Sequence, residues 1–422
     1  MIISIWPQKK ISEFAKVVGG GTPSRKNNSF FGGEIPWITP KDLSGYESRY
    51  IERGYTNLTK SGLKKSSAII LPKNSIIFSS RAPIGYIAIA KNELCTNQGF
   101  KSLICKPEIA YPEFIFYLIK YYTPNIESFA SGTTFKEISG NNLSNIKLPL
   151  PPILIQKKIS QILNQYDSLF ENNMKRIRIL QEIGYELYKK WFLNYSFPNN
   201  EDLQIINSKL GKIPNGWKIK KIKEVCLKIN AGGTPLRKNN EYWNNGTIDW
   251  YKTRELWDKF VFNAEEKITE LGLKKSSAKI FSRGSILMAI YGSPTVGRLA
   301  ILTKNACSNQ AAIGINSNSD VISQQFLFYT LYNLRTYFNN IAQGAAQQNI
   351  SKEKVLETQF ILPPKELIDK FTIKIKSIWE LLENLQMQNI ILNNIRKIFL
   401  ENLILGNIDV SKLDIKIDNK AT

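Results

Sequence analysis

The chain has 422 residues and no histidine. Serine–histidine and cysteine–histidine catalysis, imidazole-ligated zinc and histidine pH switching are thereby excluded. The four cysteines, Cys95, Cys105, Cys226 and Cys307, form no CxxC pair and no disulfide-dense pattern, which fits a reducing, cytoplasmic setting. No run of 18 apolar residues occurs, and the opening MIISIWPQKK lacks the apolar stretch of a secretory signal. Acidic residues are scarce as well, at 35 Asp plus Glu against 57 Lys plus Arg, a net charge of +22. Such an excess points to a polyanionic partner, nucleic acid before an acidic membrane surface. Hydrophobic residues at 43% and aromatics at 11% describe a folded protein, long enough for two or three domains.

What is abundant is repetition. Gly-Gly-Thr-Pro at 20–23 recurs at 232–235, followed in both places by Arg-Lys-Asn-Asn. Gly-Leu-Lys-Lys-Ser-Ser-Ala occurs at 62–68 and again at 272–278. Cys95-x-Asn97-Gln98 answers Cys307-x-Asn309-Gln310, and Pro151-Pro152 answers Pro363-Pro364. The offset stays between 210 and 213, so one large module is written twice. Within residues 1–150 the stretches 75–78, 86–90 and 101–105 read as strands, matched within 217–362 by 285–290, 299–302 and 311–315. Residues 111–122 and 323–338 read as one helix in each copy.

After each Pro-Pro pair the period changes. Phe371, Ile378, Leu385, Leu392 and Phe399 are spaced by seven, and Ile159, Tyr166, Asn173, Leu180 and Leu187 answer them in the first copy. Leu169, Ile183 and Trp191 fall among the interleaved positions. This spacing predicts long helices over 151–194 and 363–405, each with a narrow seam for another helix, and two in one chain can bury each other. Residues 195–216 form a linker and 406–422 a tail similar to it in composition, so the repeat closes on itself approximately, with the two termini near each other. Asn173 and Gly184 interrupt the first seam.

Charge follows the modules. Residues 1–150 carry 19 basic and 10 acidic side chains, and residues 217–362 carry 20 and 11, a net +9 in each case. The two helical segments carry only +4 together, opposite to a basic coiled coil lying on a membrane. Two basic modules suggest two contacts on one extended polyanion.

Candidate contacts follow from side-chain chemistry. Glycine turns followed by donors suit phosphate approach, giving Thr22, Arg25, Lys26 and Asn27, with Thr234, Arg237, Lys238 and Asn239 in the second copy. Lys64, Lys65 and Ser66, with Lys274, Lys275 and Ser276, are either phosphate donors or solvated turns. Trp37 and Trp250 are assigned to the core, and the shared Asn-Gln pairs to architecture. Base readers are sought where the copies differ. Thr133, Thr134 and Lys136 face Ala345, Ala346, Gln347 and Gln348 at unmatched positions, and Arg81 and Arg298 complete the cationic set. Two unlike half-sites are expected. Catalysis has little support: the [DN]PP[YF] tetrapeptide of adenine methylases is missing, and a nuclease-like Asp249…Glu265-Glu266-Lys267 has Pro36 opposite Asp249.

GGTPSRKNNSFFGGEIPWITPKDL and GGTPLRKNNEYWNNGTIDWYKTREL, the KKSSA elements, the TNQ/SNQ segments and the NIKLPLPP and QFILPPKE junctions resemble the specificity subunit of type I restriction–modification systems, over essentially the whole chain. The resemblance implies an α+β protein: two pseudo-repeated mixed α/β target-recognition domains joined by two long antiparallel helices, a pseudo-twofold coiled coil with approximate circular symmetry. It implies double-stranded DNA as ligand, two adenine-methyltransferase subunits as partners, and restriction/translocase subunits joining them. S-adenosylmethionine, ATP and Mg would belong to those partners, and this chain would bind no cofactor or metal. The helix starts, ILIQKK and KELIDK, depart from the family's Glu-Glu-Gln after Pro-Pro. Two other readings stay open: a DNA scaffold without sequence preference, and a fragment of a methylase–specificity fusion.

Overall fold

A computed structural model describes residues 5–132, 136–201, 203–292, 295–342 and 349–415. The chain divides into two compact units: Met1–Asn173 with Asn389–Thr422, and Met174–Gln388. Both long helices, Ile153–Tyr188 and Lys365–Leu405, contribute residues to each unit. A wider, π-helical turn extends the first of them through Lys189–Leu193, where Asn194 N donates to Lys189 O.

The units repeat one topology. In unit 1 a five-stranded sheet runs Ala15–Gly19, Lys101–Cys105, Ile76–Ser80, Ile84–Ala90, Tyr50–Ile51 in spatial order. In unit 2 the order is Cys226–Ala231, Ala312–Ser317, Ile286–Ala289, Leu299–Leu302, Lys259–Val261. Each of these sheets is antiparallel except at its last strand, which pairs parallel with its neighbour. Three further strands form a small sheet: Phe31–Ile38 between Thr56–Leu58 and Cys95–Thr96, and Ile248–Tyr251 between Glu266–Ile268 and Cys307–Ser308. The β-prone stretches of the sequence thus form strands at the expected places.

Helices stop and start where local chemistry requires. The Thr59 and Thr269 hydroxyls accept the amides of Gly62 and Gly272 and open the short helices Lys60–Lys64 and Glu270–Lys274. Pro112 opens Pro112–Ser128, which buries Phe114 through Ile119 between the sheet and the first long helix, where Tyr117 Oη donates to Asp167. Its counterpart differs from expectation: 323–338 is two helices, Gln324–Asn333 and Arg335–Ile341, interrupted at Leu334. There ψ falls to −2°, and Arg335 turns to hydrogen-bond Gly297 O and pair with Asp258. Part of the linker is also ordered, as a hairpin of Ile205–Ser208 with Gly211–Pro214.

In unit 1, Tyr166 stacks on Phe399 at 5.4 Å, and Arg396 lies over Phe170 and pairs with Asp167 at 2.7 Å. In unit 2, Phe371 packs on Tyr188 and Trp191, and Ile375 borders Gly184. Within each unit the two helix halves therefore run antiparallel. The row Leu163, Phe170, Ile177, Gly184 and Trp191, again spaced by seven, is buried throughout. Of the expected row, Ile159 and Asn173 are buried and Tyr166, Leu180 and Leu187 are half-buried. On the second helix Phe371, Leu385 and Leu392 are buried and Ile378 and Phe399 half-buried, beside a buried row of Ile368, Ile375, Leu382 and Asn389. Leu169 and Ile183, expected inside the first seam, are 49% and 48% exposed. A seven-residue spacing fixes a stripe but not its centre. Here the helix faces its domain as well as its partner helix, and burying Phe170, Tyr188 and Trp191 turns Leu169 and Ile183 outward.

The ends meet the expectation of approximate closure. In unit 1, Ile5 N donates to Leu405 O, Ile5 and Trp6 crowd Gly406, and Lys158 Nζ donates to Ser411 O and Leu413 O. In unit 2, Trp217 packs in the same way on Phe192, Tyr195 and Phe197 after the first helix.

Candidate nucleic-acid interface

The repeated motifs, distant in sequence, tie into one knot in each unit. Gly21 N donates to Thr96 O and Gly233 N to Ser308 O, both at 2.9 Å. A Cβ on Gly20 would overlap Asn97 O, and one on Gly21 would overlap the backbone of Ser67 and Ala68. The glycines are therefore required by the crossing of three chain segments. Thr22 and Thr234 hydroxyls donate to the side-chain oxygens of Gln98 and Gln310. Trp37 Nε1 donates to Gly21 O at 3.0 Å and Trp250 Nε1 to Gly233 O at 2.8 Å, with both rings buried. Trp37 sits among Leu58, Ala68 and Cys95, and Trp250 among Ile268, Ala278 and Cys307. Both tryptophans are core, as the sequence implied.

Several candidate contacts are occupied within the domain. Asn27 and Asn239 accept from Ser29 N and Glu241 N and cap short turns. Ser66 and Ser276 accept from Ala68 N and Ala278 N. Arg81 pairs with Glu137 at 3.0 Å, and Arg298 lies over Trp257 at 4.1 Å. Lys26, Lys64, Lys65, Lys136, Lys238, Lys274 and Lys275 are exposed, and none has an ion pair among the described residues. Thr133, Thr134, Gln347 and Gln348 lie outside the described residues, as do Ala345 and Ala346.

The knot presents the two motif arginines differently. Arg25 borders an open groove of about 660 Å³, floored by Phe31 and Trp37 and walled by Thr39, Tyr55 and Thr56. Tyr55 is 99% exposed. Asp42 in the wall has its oxygens engaged by Thr39 N, Thr39 Oγ1 and Tyr55 N. Arg237 instead lies 3.8 Å from the Trp243 ring centre and 4.6 Å from that of Trp250, and pairs with Glu266 at 2.5 Å. Lys252 joins Glu266 at 2.6 Å, and Arg254 pairs with Glu265. Burial works to raise the Glu266 carboxyl, but hydrogen bonds from Lys252 and Arg237 prevail and hold it below the ordinary glutamate range. The sequence did not single out this groove, because its walls come from two segments of Phe31–Ile38 and Thr56–Leu58 and the loop between them.

Of the nuclease-like residues only Asp249 and Lys267 pair; the carboxylates do not converge on a common site. Asp249 is buried, 2.6 Å from Lys304 and 3.6 Å from Lys267, while Glu265 and Glu266 face other cations. Among the described residues no group of His, Cys, Asp and Glu side chains could hold a metal ion. No helix among them is long and apolar enough to cross a membrane. Burial pushes the Cys95 thiol up to about 11 and the Cys105 thiol up to about 12. Cys226 and Cys307 also rise to about 12, so all four are thiols, not nucleophilic thiolates, at neutral pH.

A family model described as the type I restriction modification DNA specificity domain matches residues 4–183 and 214–402. The chain is 34% identical over 413 residues to the MjaIX type I restriction enzyme specificity subunit of Methanocaldococcus jannaschii, covering 97% of this chain and 94% of that protein. It is 24% identical over 464 residues to the HindI specificity subunit of Haemophilus influenzae, covering 94% and 95%. Its fold is similar to the crystal structure of a type I restriction–modification S subunit from M. genitalium, with a TM-score of 0.61 at 15% identity over 95% and 96% of the two chains.

Proposed function

The chain belongs to the type I restriction–modification DNA specificity family, whose members are non-catalytic recognition subunits, and from that membership we propose that it reads a bipartite, asymmetric site in double-stranded DNA and brings methyltransferase and endonuclease subunits to it. One observation carries the bipartite reading: the same knot of glycine loop, Lys-Lys turn and Asn-Gln turn is built twice, in equally basic modules whose groove residues differ. Identical frames place two copies on the same phosphate geometry, and unlike surfaces read unlike bases. Lys64, Lys65, Lys274 and Lys275, exposed in both copies, serve as phosphate contacts. The long helices, shared by both units, set the gap between half-sites. Two methyltransferase subunits join this chain, restriction/translocase subunits join them, and S-adenosylmethionine, ATP and Mg act on those partners in the cytoplasm.

The test is a module exchange. Replacing residues 217–362 with the equivalent module of another specificity subunit, and mapping N6-methyladenine in cells carrying the methyltransferase, should change one half-site and leave the other intact. Changes in both halves would refute independent reading. Lys64→Ala with Lys65→Ala should weaken binding to every duplex and reduce the slope of log affinity against log salt by about two; an unchanged slope removes these lysines from the phosphate set.

A further inference from the structure

Given that both units contact DNA, as proposed above, one difference between them bears on recognition: equivalent positions share a backbone and differ in chemistry around the motif arginine. The correspondence is fixed by geometry. Trp37 lies opposite Thr56 in its strand pair as Trp250 lies opposite Glu266. Asp42 accepts the amides of Thr39 and Tyr55 as Glu255 accepts those of Lys252 and Glu265. Thr39 therefore stands for Lys252, and Thr56 for Glu266.

Those two exchanges decide the state of each arginine. In unit 2, Glu266 joins Lys252 and Arg237, and Arg237, though exposed like Arg25, is stacked on two indoles and ion-paired, so its guanidinium is already engaged by its own domain. In unit 1 both partners are threonines. Arg25 is exposed at the groove edge with no ion pair among the described residues. A phosphate-binding arginine has no reason to differ between copies, because the backbone is the same at every half-site. A base-reading group must differ when the half-sites do.

We infer that the unit 1 groove is a base-reading site for a guanine-containing base pair, that Arg25 is its specificity-determining residue, and that Arg237 is an internal brace that reads no base. A guanidinium matches the paired O6 and N7 acceptors of guanine in the major groove. The Thr56 hydroxyl and the Lys41 ammonium supply further donors beside it, while the Thr39 hydroxyl spends its proton on Asp42. For the exocyclic amino groups of adenine and cytosine the groove offers one carboxylate among the described residues, Asp42, and it already accepts three hydrogen bonds from Thr39 and Tyr55, which makes it a poorer acceptor than a free carboxylate.

The test is selection from a randomised duplex pool by the complex with its methyltransferase subunits, with the melting temperature of each variant as a folding control. Arg25→Lys keeps the charge and loses the fork. It should retain overall affinity but lose preference at one G·C pair of the half-site that survives exchange of residues 217–362, by roughly five- to 150-fold. Thr56→Glu, which installs the carboxylate that unit 2 carries, should lose preference at that same pair, while Arg237→Lys leaves both half-sites unchanged. Retention of the wild-type motif by both unit 1 variants, or a loss from Arg25→Lys spread evenly over all sequences, overturns the base-reading role and leaves the DNA-recognition reading standing. Wild-type complex that selects no motif overturns both.

Discussion

Gly184 offers a prediction in which two effects of known sign compete. It lies inside the first long helix, where glycine costs about 1 kcal/mol relative to alanine, so Gly184→Ala taken alone should stabilise. Tertiary packing reverses this. A Cβ at Gly184 would overlap Tyr329 Oη and stand 3.1 Å from Tyr329 Cζ and 3.3 Å from Ile375 Cδ1. Tyr329 cannot swing aside cheaply. It is 4% exposed and packed against Tyr188, Phe328, Phe371 and Trp379, with Trp379 Nε1 donating to its hydroxyl at 3.4 Å. Overpacking a site of this kind costs about 1–3 kcal/mol, which exceeds the helical gain over most of that range. Gly184→Ala should therefore destabilise by about 1 kcal/mol, read as a lower urea midpoint with unchanged slope in an unfolding curve followed by tryptophan fluorescence. In a Tyr329→Phe background the overlapping oxygen is gone, and the same substitution should cost less by about 1 kcal/mol. A more stable Gly184→Ala single variant, or equal effects in both backgrounds, would show that the hydroxyl does not fill this hole.

Two further predictions follow from burial. Asp167 is 2% exposed and accepts from Tyr117 Oη at 2.5 Å and Arg396 at 2.7 Å, with Arg49 Nε 3.9 Å away. Arg49 keeps Glu171 when Asp167 is removed, so Asp167→Ala should cost about 3 kcal/mol, the lower end for breaking a buried pair. Arg81→Ala, which breaks a pair whose side chains are 38% and 35% exposed, should cost under about 1 kcal/mol; comparable losses in denaturation would refute this ranking. Because Cys95 and Cys307 are buried and their thiols raised to about 11 and about 12, a disulfide reagent at pH 8 should label neither in the native protein, should label the half-buried Cys105 and Cys226 slowly, and should label all four in denaturant. Rapid native labelling of Cys95 or Cys307 would contradict their placement beside the buried tryptophans.

The duplication, the strand positions and the two long helices were legible in the sequence, because each is a local pattern: repeated letters, β-prone stretches between turn residues, apolar positions spaced by seven. The assignment of Trp37, Trp250 and the Asn-Gln pairs to architecture was legible too, since residues shared by both copies serve what both copies share. The centre of the helical seam was not. Leu169 and Leu163 both fit a heptad row, and only packing against the domain buries Leu163 and exposes Leu169. Gly184, which interrupts the pattern in one dimension, is the space that Tyr329 occupies in three. The two motif arginines stand in the same Gly-Gly-Thr-Pro-x-Arg context and were assigned one role from it. Their difference lies in Thr56 and Glu266, about 30 residues further along the chain and brought alongside only by strand pairing with Phe31–Ile38 and Ile248–Tyr251. Local order therefore determined which segments form the modules. The ionic and steric state of each side chain was decided by residues far away in sequence, because charge pairing and close packing depend on distance in space and not on distance along the chain.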